Sequence, residues 1–137
     1  MVHIVRPSDR DCGTAQTPGM VREAGISAAL SGAKGLWMGI GSNAPREAGG
    51  PHHHGHTESG IYILEGRIRF RWGPNLEHEA IAEPGDFIFV PPYEVHSEEN
   101  LSDGPARFVL ARNSDEAVVV NVPDPREASA AREEAAP

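Results

Sequence analysis

Residues Gly49–Gly73 read GGPHHHGHTESGIYILEGRIRFRWG, and the second half of this stretch decides the fold. Arg67, Arg69 and Arg71 interleave with Ile68, Phe70 and Trp72. On an extended chain, successive side chains point to opposite faces, so the arginines fall on one face of a sheet and the bulky apolar groups on the other. Outward from there, the apolar segments are short and separated by Gly, Pro, Asn and Asp: HIV, MVREAGIS, GLWMGIGS, GIYILEG, HEAIAE, GDFIFVP, EVHSEEN, ARFVLARN and AVVVNV. None sustains an i, i+3, i+4, i+7 pattern, whereas many alternate with period two or are rich in β-branched and aromatic residues. LEGR around Gly66, WGPN at Trp72–Asn75 and EPGD around Pro84 and Gly85 supply turn residues at the junctions. The expectation is an all-β protein, mostly antiparallel, closed into a barrel or a two-sheet jelly roll that leaves few free edges.

A length of 137 residues suits one domain with one core. Residues 1–122 are read as that domain. The segment 123–137, PDPREASAAREEAAP, changes to Ala, Glu and Arg between prolines and is expected to be a flexible tail or a short helix. Twelve basic against twenty acidic residues leave a formal charge of −8, so there is no basic surface for a phosphate backbone and nucleic acid is not an expected partner. No apolar run approaches the roughly 20 residues that span a bilayer, and MVHIVRPSDRDCG has no apolar signal core, so no membrane association and a cytoplasmic location are expected. A single cysteine, Cys12, rules out an internal disulfide, and it is read as a loop residue without a chemical role.

The histidines are the chemically informative residues. Four of the seven lie within 52–56. His52 and His54, two apart, project to one side of an extended segment and can converge on one point, while His53 has the opposite parity. Neutral imidazoles hold Zn, Fe, Ni, Cu or Mn, and such a site needs a third ligand distant in sequence. His96 in GDFIFVPPYEVHSEEN, behind an apolar run and a Pro-Pro turn, is the candidate. His3 and His78 read as surface or hydrogen-bonded residues rather than ligands. From spacing alone, the His-rich tract is either a metal site or a solvated loop.

Together, Gly49–Gly66 and Gly85–Asn100 resemble the two motifs of the cupin superfamily. The second motif is matched at Gly85, Pro91, His96 and Asn100, with Tyr93 where the family has its second glycine; the first is matched by His52, His54 and Gly66. The resemblance covers about residues 36–112. It implies a six- to eight-stranded jelly-roll barrel with one divalent metal ion inside, commonly in a homodimer. His52, His54 and His96 are the implied ligands. Counting back from Gly66, the family's metal-binding glutamate falls on Ser59, and Glu58 is one residue early, which turns a side chain to the opposite face of a regular strand. Water, Glu58 brought inward by a bulge, or His56 would then complete the site. Zinc or iron is favoured, with nickel, copper or manganese also suited to the ligand set.

If position 59 faces inward, Ser59, Ile61 and Ile63 line a pocket, and Glu98 and Asn100 share the face of His96. Trp37, Phe70, Phe108 and Arg107 are further candidates for the lining. Glu98 could act as general base beside a metal-bound water, or belong to a solvated Glu98–Glu99 pair. A mostly apolar pocket suits a small organic molecule. The superfamily includes dioxygenases, isomerases, decarboxylases, lyases, sensors and zinc proteins of nitrogen–nitrogen bond formation. Two functions are therefore carried forward: a metalloenzyme for a small metabolite, and a metal-dependent binding or sensor module, with a metal-free structural barrel as the weaker third.

Overall fold

A computed structural model describes residues 1–127. Ten strands follow one another: β1 (Val21–Ile26), β2 (Trp37–Asn43), β3 (His52–His53), β4 (Ser59–Glu65), β5 (Ile68–Trp72), β6 (His78–Ala82), β7 (Phe87–Val90), β8 (His96–Asn100), β9 (Ala106–Arg112) and β10 (Val120–Asn121). They form two five-stranded sheets in the orders β1-β2-β9-β4-β7 and β10-β3-β8-β5-β6, and every strand pair is antiparallel. This is the jelly-roll arrangement expected from the alternation. Segment HIV, read as a first strand, lies in irregular chain, and its two apolar residues, Ile4 and Val5, find no partner strand among the described residues. Of the tail 123–137, residues 128–137 lie outside the described residues.

Period-two burial is clearest in β2 and β9, where every second residue is buried. Trp37, Phe108 and Leu110 turn inward with Ile61, Ile63, Ile68 and Phe70 to form the core. Gly41 stands opposite Phe108 in the β2–β9 register, and a Cβ there would come within 2.3 Å of the Phe108 ring. Glycine is needed at that position for the ring to lie flat under the strand. On the other face of β5, Arg69 and Arg71 stay half-buried and pair with Glu79 and Glu99 on neighbouring strands. A short helix, α1 (Ala28–Ser31), is capped by Ser27 Oγ accepting from the Leu30 N–H.

The motif position at which Tyr93 replaces glycine has φ 61°. This left-handed conformation favours glycine, so Tyr93 is held there at a cost of about 1 kcal/mol. Its N–H donates to the Gly55 carbonyl at 2.8 Å, which ties the turn before His96 to the loop after His54.

Candidate metal centre

His52 and His96 are direct partners in the short β3–β8 ladder, so their side chains leave neighbouring strands toward the same interior point. His54, two residues beyond His52, follows its parity. The three ring centroids are 4.4, 5.0 and 5.1 Å apart, and the nitrogens they offer lie within 4.8 Å of one another, all three residues being buried.

Main-chain carbonyls set the direction of each ring. His52 Nδ1 faces the Gly50 carbonyl at 2.8 Å, His54 Nδ1 faces Val118 at 2.9 Å, and His96 Nδ1 faces Glu94 at 2.9 Å. A carbonyl oxygen can only accept, so each Nδ1 carries the hydrogen and each neutral ring presents the Nε2 lone pair inward. Orientation of this kind is what metal-ligating histidines require. Burial, partly offset by Glu98, pushes the His52 pKa down to about 4. Burial, reinforced by Arg112 and the other two imidazoles, pushes His54 down to about 2. Both are therefore neutral at pH 7, the state in which imidazole binds a metal ion.

Glu98 is buried on β8 beside them, its oxygens 3.3 Å from His96 Nε2 and 3.7 Å from His52 Nε2. Burial alone would raise its pKa, but His52, His96 and Arg22 outweigh it and hold the carboxyl well below its usual range. His52 Nε2, His96 Nε2 and Glu98 Oε2 have no hydrogen-bond partner among the described residues. Acceptors facing acceptors in a buried space are unfavourable unless a cation lies between them. The donor set therefore fits a divalent ion.

The remaining expected site residues fall in different places. His56 and Glu58 are exposed, outside the buried histidine cluster. His53 is half-buried, and its Nδ1 accepts from the Gly55 N–H. Ser59 is buried at the family's carboxylate position, but its hydroxyl accepts from Arg112 Nε at 3.2 Å. Ile61, Ile63 and Phe108 fill the core. Trp37 lies under the Arg112 guanidinium, 4.7 Å from the ring centroid. Asn100 is buried yet fully engaged in holding loops: its Nδ2 donates to the Ala44 and Gly104 carbonyls and its Oδ1 accepts from the Ser102 N–H. Arg107 is exposed, because it has the opposite parity to Phe108.

A cavity of about 630 Å³ opens between the free edges of β6 and β7 and reaches His96. Phe70, Trp72, Ala82, Ile88 and Val90 form its inner wall. Of the residues expected to line a pocket, Phe70 does so. Apart from the exposed Arg107, the others point inward at levels where the barrel is filled with side chains. Two functional candidates were not anticipated, the buried arginines Arg22 and Arg112. Their signal is present in the alternation: Arg22 shares the parity of Ala24, and Arg112 continues the series Ala106, Phe108, Leu110.

Comparison with known proteins follows this geometry. The family model described as Cupin domain matches residues 41–112, more than half of the chain. A search of curated proteins gives no match. Among solved structures, the polyketide cyclase RemF from Streptomyces resistomycificus is similar with a TM-score of 0.71 and 23% identity over 95% of this chain and 94% of that one. The oxalate decarboxylase of Lactobacillus farciminis, in a formate complex, gives a TM-score of 0.69 and 15% identity over 79% of this chain and 32% of that one. A point mutant of the Bacillus subtilis oxalate decarboxylase gives 0.69 and 20% identity over 78% and 29%. The chain thus spans about a third of the length of the oxalate decarboxylases it resembles. At these identities the likeness establishes the fold.

Proposed function

The chain belongs to the cupin domain family, and from that premise we propose that it is a metalloenzyme acting on a small organic molecule, with His52, His54 and His96 holding one divalent ion. The observation that carries this reading is the convergence of three carbonyl-oriented Nε2 lone pairs and one ionised carboxylate in a buried space. Zinc or iron suits three neutral nitrogens and a carboxylate. Such an ion, when bound, polarises a ligand oxygen or lowers the pKa of a bound water. The chain's own contribution is to orient the imidazoles, to keep water out with the apolar wall of the cavity, and to keep Glu98 charged. Glu98 has two roles open to it: holding the ion, or taking a proton from the bound molecule.

Elemental mass spectrometry on untagged protein tests the reading. Near one zinc or iron per chain is expected, falling to background in His54→Ala. Metal-free wild type, or full retention in the variant, would refute it. Glu98→Gln separates the two roles of the carboxylate: metal is lost if it is a ligand, whereas metal stays and turnover falls if it accepts the proton.

A second reading, a metal-dependent binding or sensor module, is favoured by one observation: beyond Glu98 no other carboxylate, Cys or Tyr is buried beside the three imidazoles among the described residues. A bound molecule recovered unchanged after long incubation would support it, and any product would exclude it.

The reading includes a homodimer. Outside the sheet that contains β4 and β7, Tyr62 and Phe87 rings pack at 4.7 Å between centroids, while Phe87 and Phe89 are 82% and 63% exposed. Exposed apolar surface of this kind marks an association face. Among the described residues, no helix is long and apolar enough to cross a membrane.

A further inference from the structure

The three imidazoles are not equally free. His52 Nε2 and His96 Nε2 have no hydrogen-bond partner among the described residues, but His54 Nε2 lies 3.3 Å from Arg112 Nη2. With its Nδ1 hydrogen on the Val118 carbonyl, His54 presents a lone pair at Nε2, so the guanidinium donates to it. Arg112 is 3% exposed and is held from both neighbouring strands, its register partners being Trp37 on β2 and Ser59 on β4. The Trp37 ring centroid is 4.7 Å from the guanidinium carbon, and Ser59 Oγ accepts from Nε at 3.2 Å. These two contacts fix the plane of the guanidinium and aim Nη2 at the ligand atom of His54.

A buried guanidinium kept for the fold alone would have its donors on acceptors outside the histidine cluster. Arg112 does not: Nη2 is on His54, and Nη1 has no acceptor among the described residues. The buried carboxylate, Glu98, faces His52 and His96 instead. At the family's carboxylate position, directly beside Arg112, stands Ser59, whose neutral hydroxyl cannot offset the charge. A divalent ion on His54 therefore meets two obstacles. It must take the lone pair that Nη2 uses, which leaves a buried donor short of an acceptor. It must also come close to a positive charge in an interior that screens poorly. The first obstacle does not arise at His52 or His96.

We propose that Arg112 is an internal competitor for the metal site: it holds the His54 lone pair until a divalent ion displaces it, and so sets how tightly the site keeps its ion. The proposal rests on the reading that His52, His54 and His96 take a divalent ion. Arg112 acts through His54, as a positioning residue. Such a latch lowers affinity and lets the ion exchange, so that occupancy follows the supply of metal.

Zinc affinity is measured on the untagged, chelator-treated full chain by competition with a chromophoric chelator, for wild type, Arg112→Met, Arg112→Gln and Arg107→Met. Arg112→Gln keeps a polar group for Ser59 should the apolar variant fold poorly. Arg107, exposed on the same strand, controls for net charge alone. The Arg112 variants are expected to bind zinc about tenfold or more tightly than wild type, the scale of one hydrogen bond to a charged group, with Arg107→Met unchanged. A merely structural role gives the opposite sign, because a loosened site binds more weakly. Unchanged or weaker binding in a folded Arg112 variant, or an equal gain in Arg107→Met, overturns the proposal and leaves the metal reading standing. In wild type with isotope-labelled arginine, zinc is expected to shift the Arg112 side-chain resonances. Unshifted resonances in zinc-loaded protein overturn the latch even if neither Arg112 variant folds. Zinc held by wild type and by none of the variants less tightly than by His54→Ala would place the ion elsewhere, and zinc held by no folded protein of the set overturns the metal reading and the latch together.

Discussion

Replacing Asn100 by Ala tests whether this buried side chain belongs to the fold or to the cavity. Its Nδ2 donates to the Ala44 and Gly104 carbonyls at 3.0 and 2.9 Å, and its Oδ1 accepts from the Ser102 N–H at 2.9 Å. Truncation breaks all three. Ala44 and Gly104 are exposed residues whose carbonyls can turn to water, so each loss belongs at the lower end of the roughly 0.5–1.5 kcal/mol net value of a hydrogen bond. The Ser102 N–H is half-buried and is left without an acceptor, which costs about 1–3 kcal/mol. Together with the small void left behind, the expected loss is about 2–4 kcal/mol. In urea this appears as a midpoint lowered by roughly 1–2 M at unchanged slope. Because Ala44 begins the loop that leads to His52, metal affinity is expected to weaken alongside stability. A loss under about 1 kcal/mol would refute the reasoning, and if it came with lost ligand binding it would put Asn100 in the cavity wall after all.

Acid should destabilise the metal-free protein in a defined window. His52 and His54 are held down to about 4 and about 2 when folded, against about 6.5 unfolded, so below pH 6.5 the unfolded chain binds more protons and stability falls with pH. Each group contributes up to about 1.4 kcal/mol per pH unit, His52 until roughly pH 4, and the depressed Glu98 adds to the loss below its ordinary range. Thermal melting of chelator-treated protein from pH 7 to 4 reads this directly, and a constant midpoint from pH 7 to 5 would contradict it. For the association face, Phe87→Ser with Phe89→Ser should yield monomers in sedimentation velocity while leaving metal content intact, and a wild type that is already monomeric would dispose of the dimer.

What could be read from the sequence depended on parity. Alternation placed Ile61, Ile63, Phe70 and Phe108 inward, and it set Glu98 beside His96, because a single strand determines those directions locally. Parity does not say which inward level is packed and which is hollow. That depends on where the free edges of β6 and β7 part, which is a property of the whole sheet order. Asn100 shows the same limit: the acceptors that make it a loop clamp come from residues 44 and 104, remote from any local pattern. Arg112 escaped for another reason. Arg107 is the arginine expected in the lining, although it has the outward parity and the series Ala106, Phe108, Leu110 runs directly on to 112. Among the metal ligands, spacing supplied the pair, and the position of His96 behind an apolar run and a Pro-Pro turn made it the third candidate, which the superfamily resemblance then implied as well, while the short β3–β8 ladder that brings them together left no periodic trace.

All three imidazoles are aimed by peptide carbonyls, those of Gly50, Val118 and Glu94. A carbonyl survives every substitution at its own residue, so point mutations can remove a ligand but cannot readily delete its guide. A scan of side-chain replacements around the centre would thus report a site with no supporting cast, even though the support is half of the design. It also means that the cavity wall can change its chemistry residue by residue without turning a ring, leaving the choice of bound molecule free to drift while the metal end stays as it is.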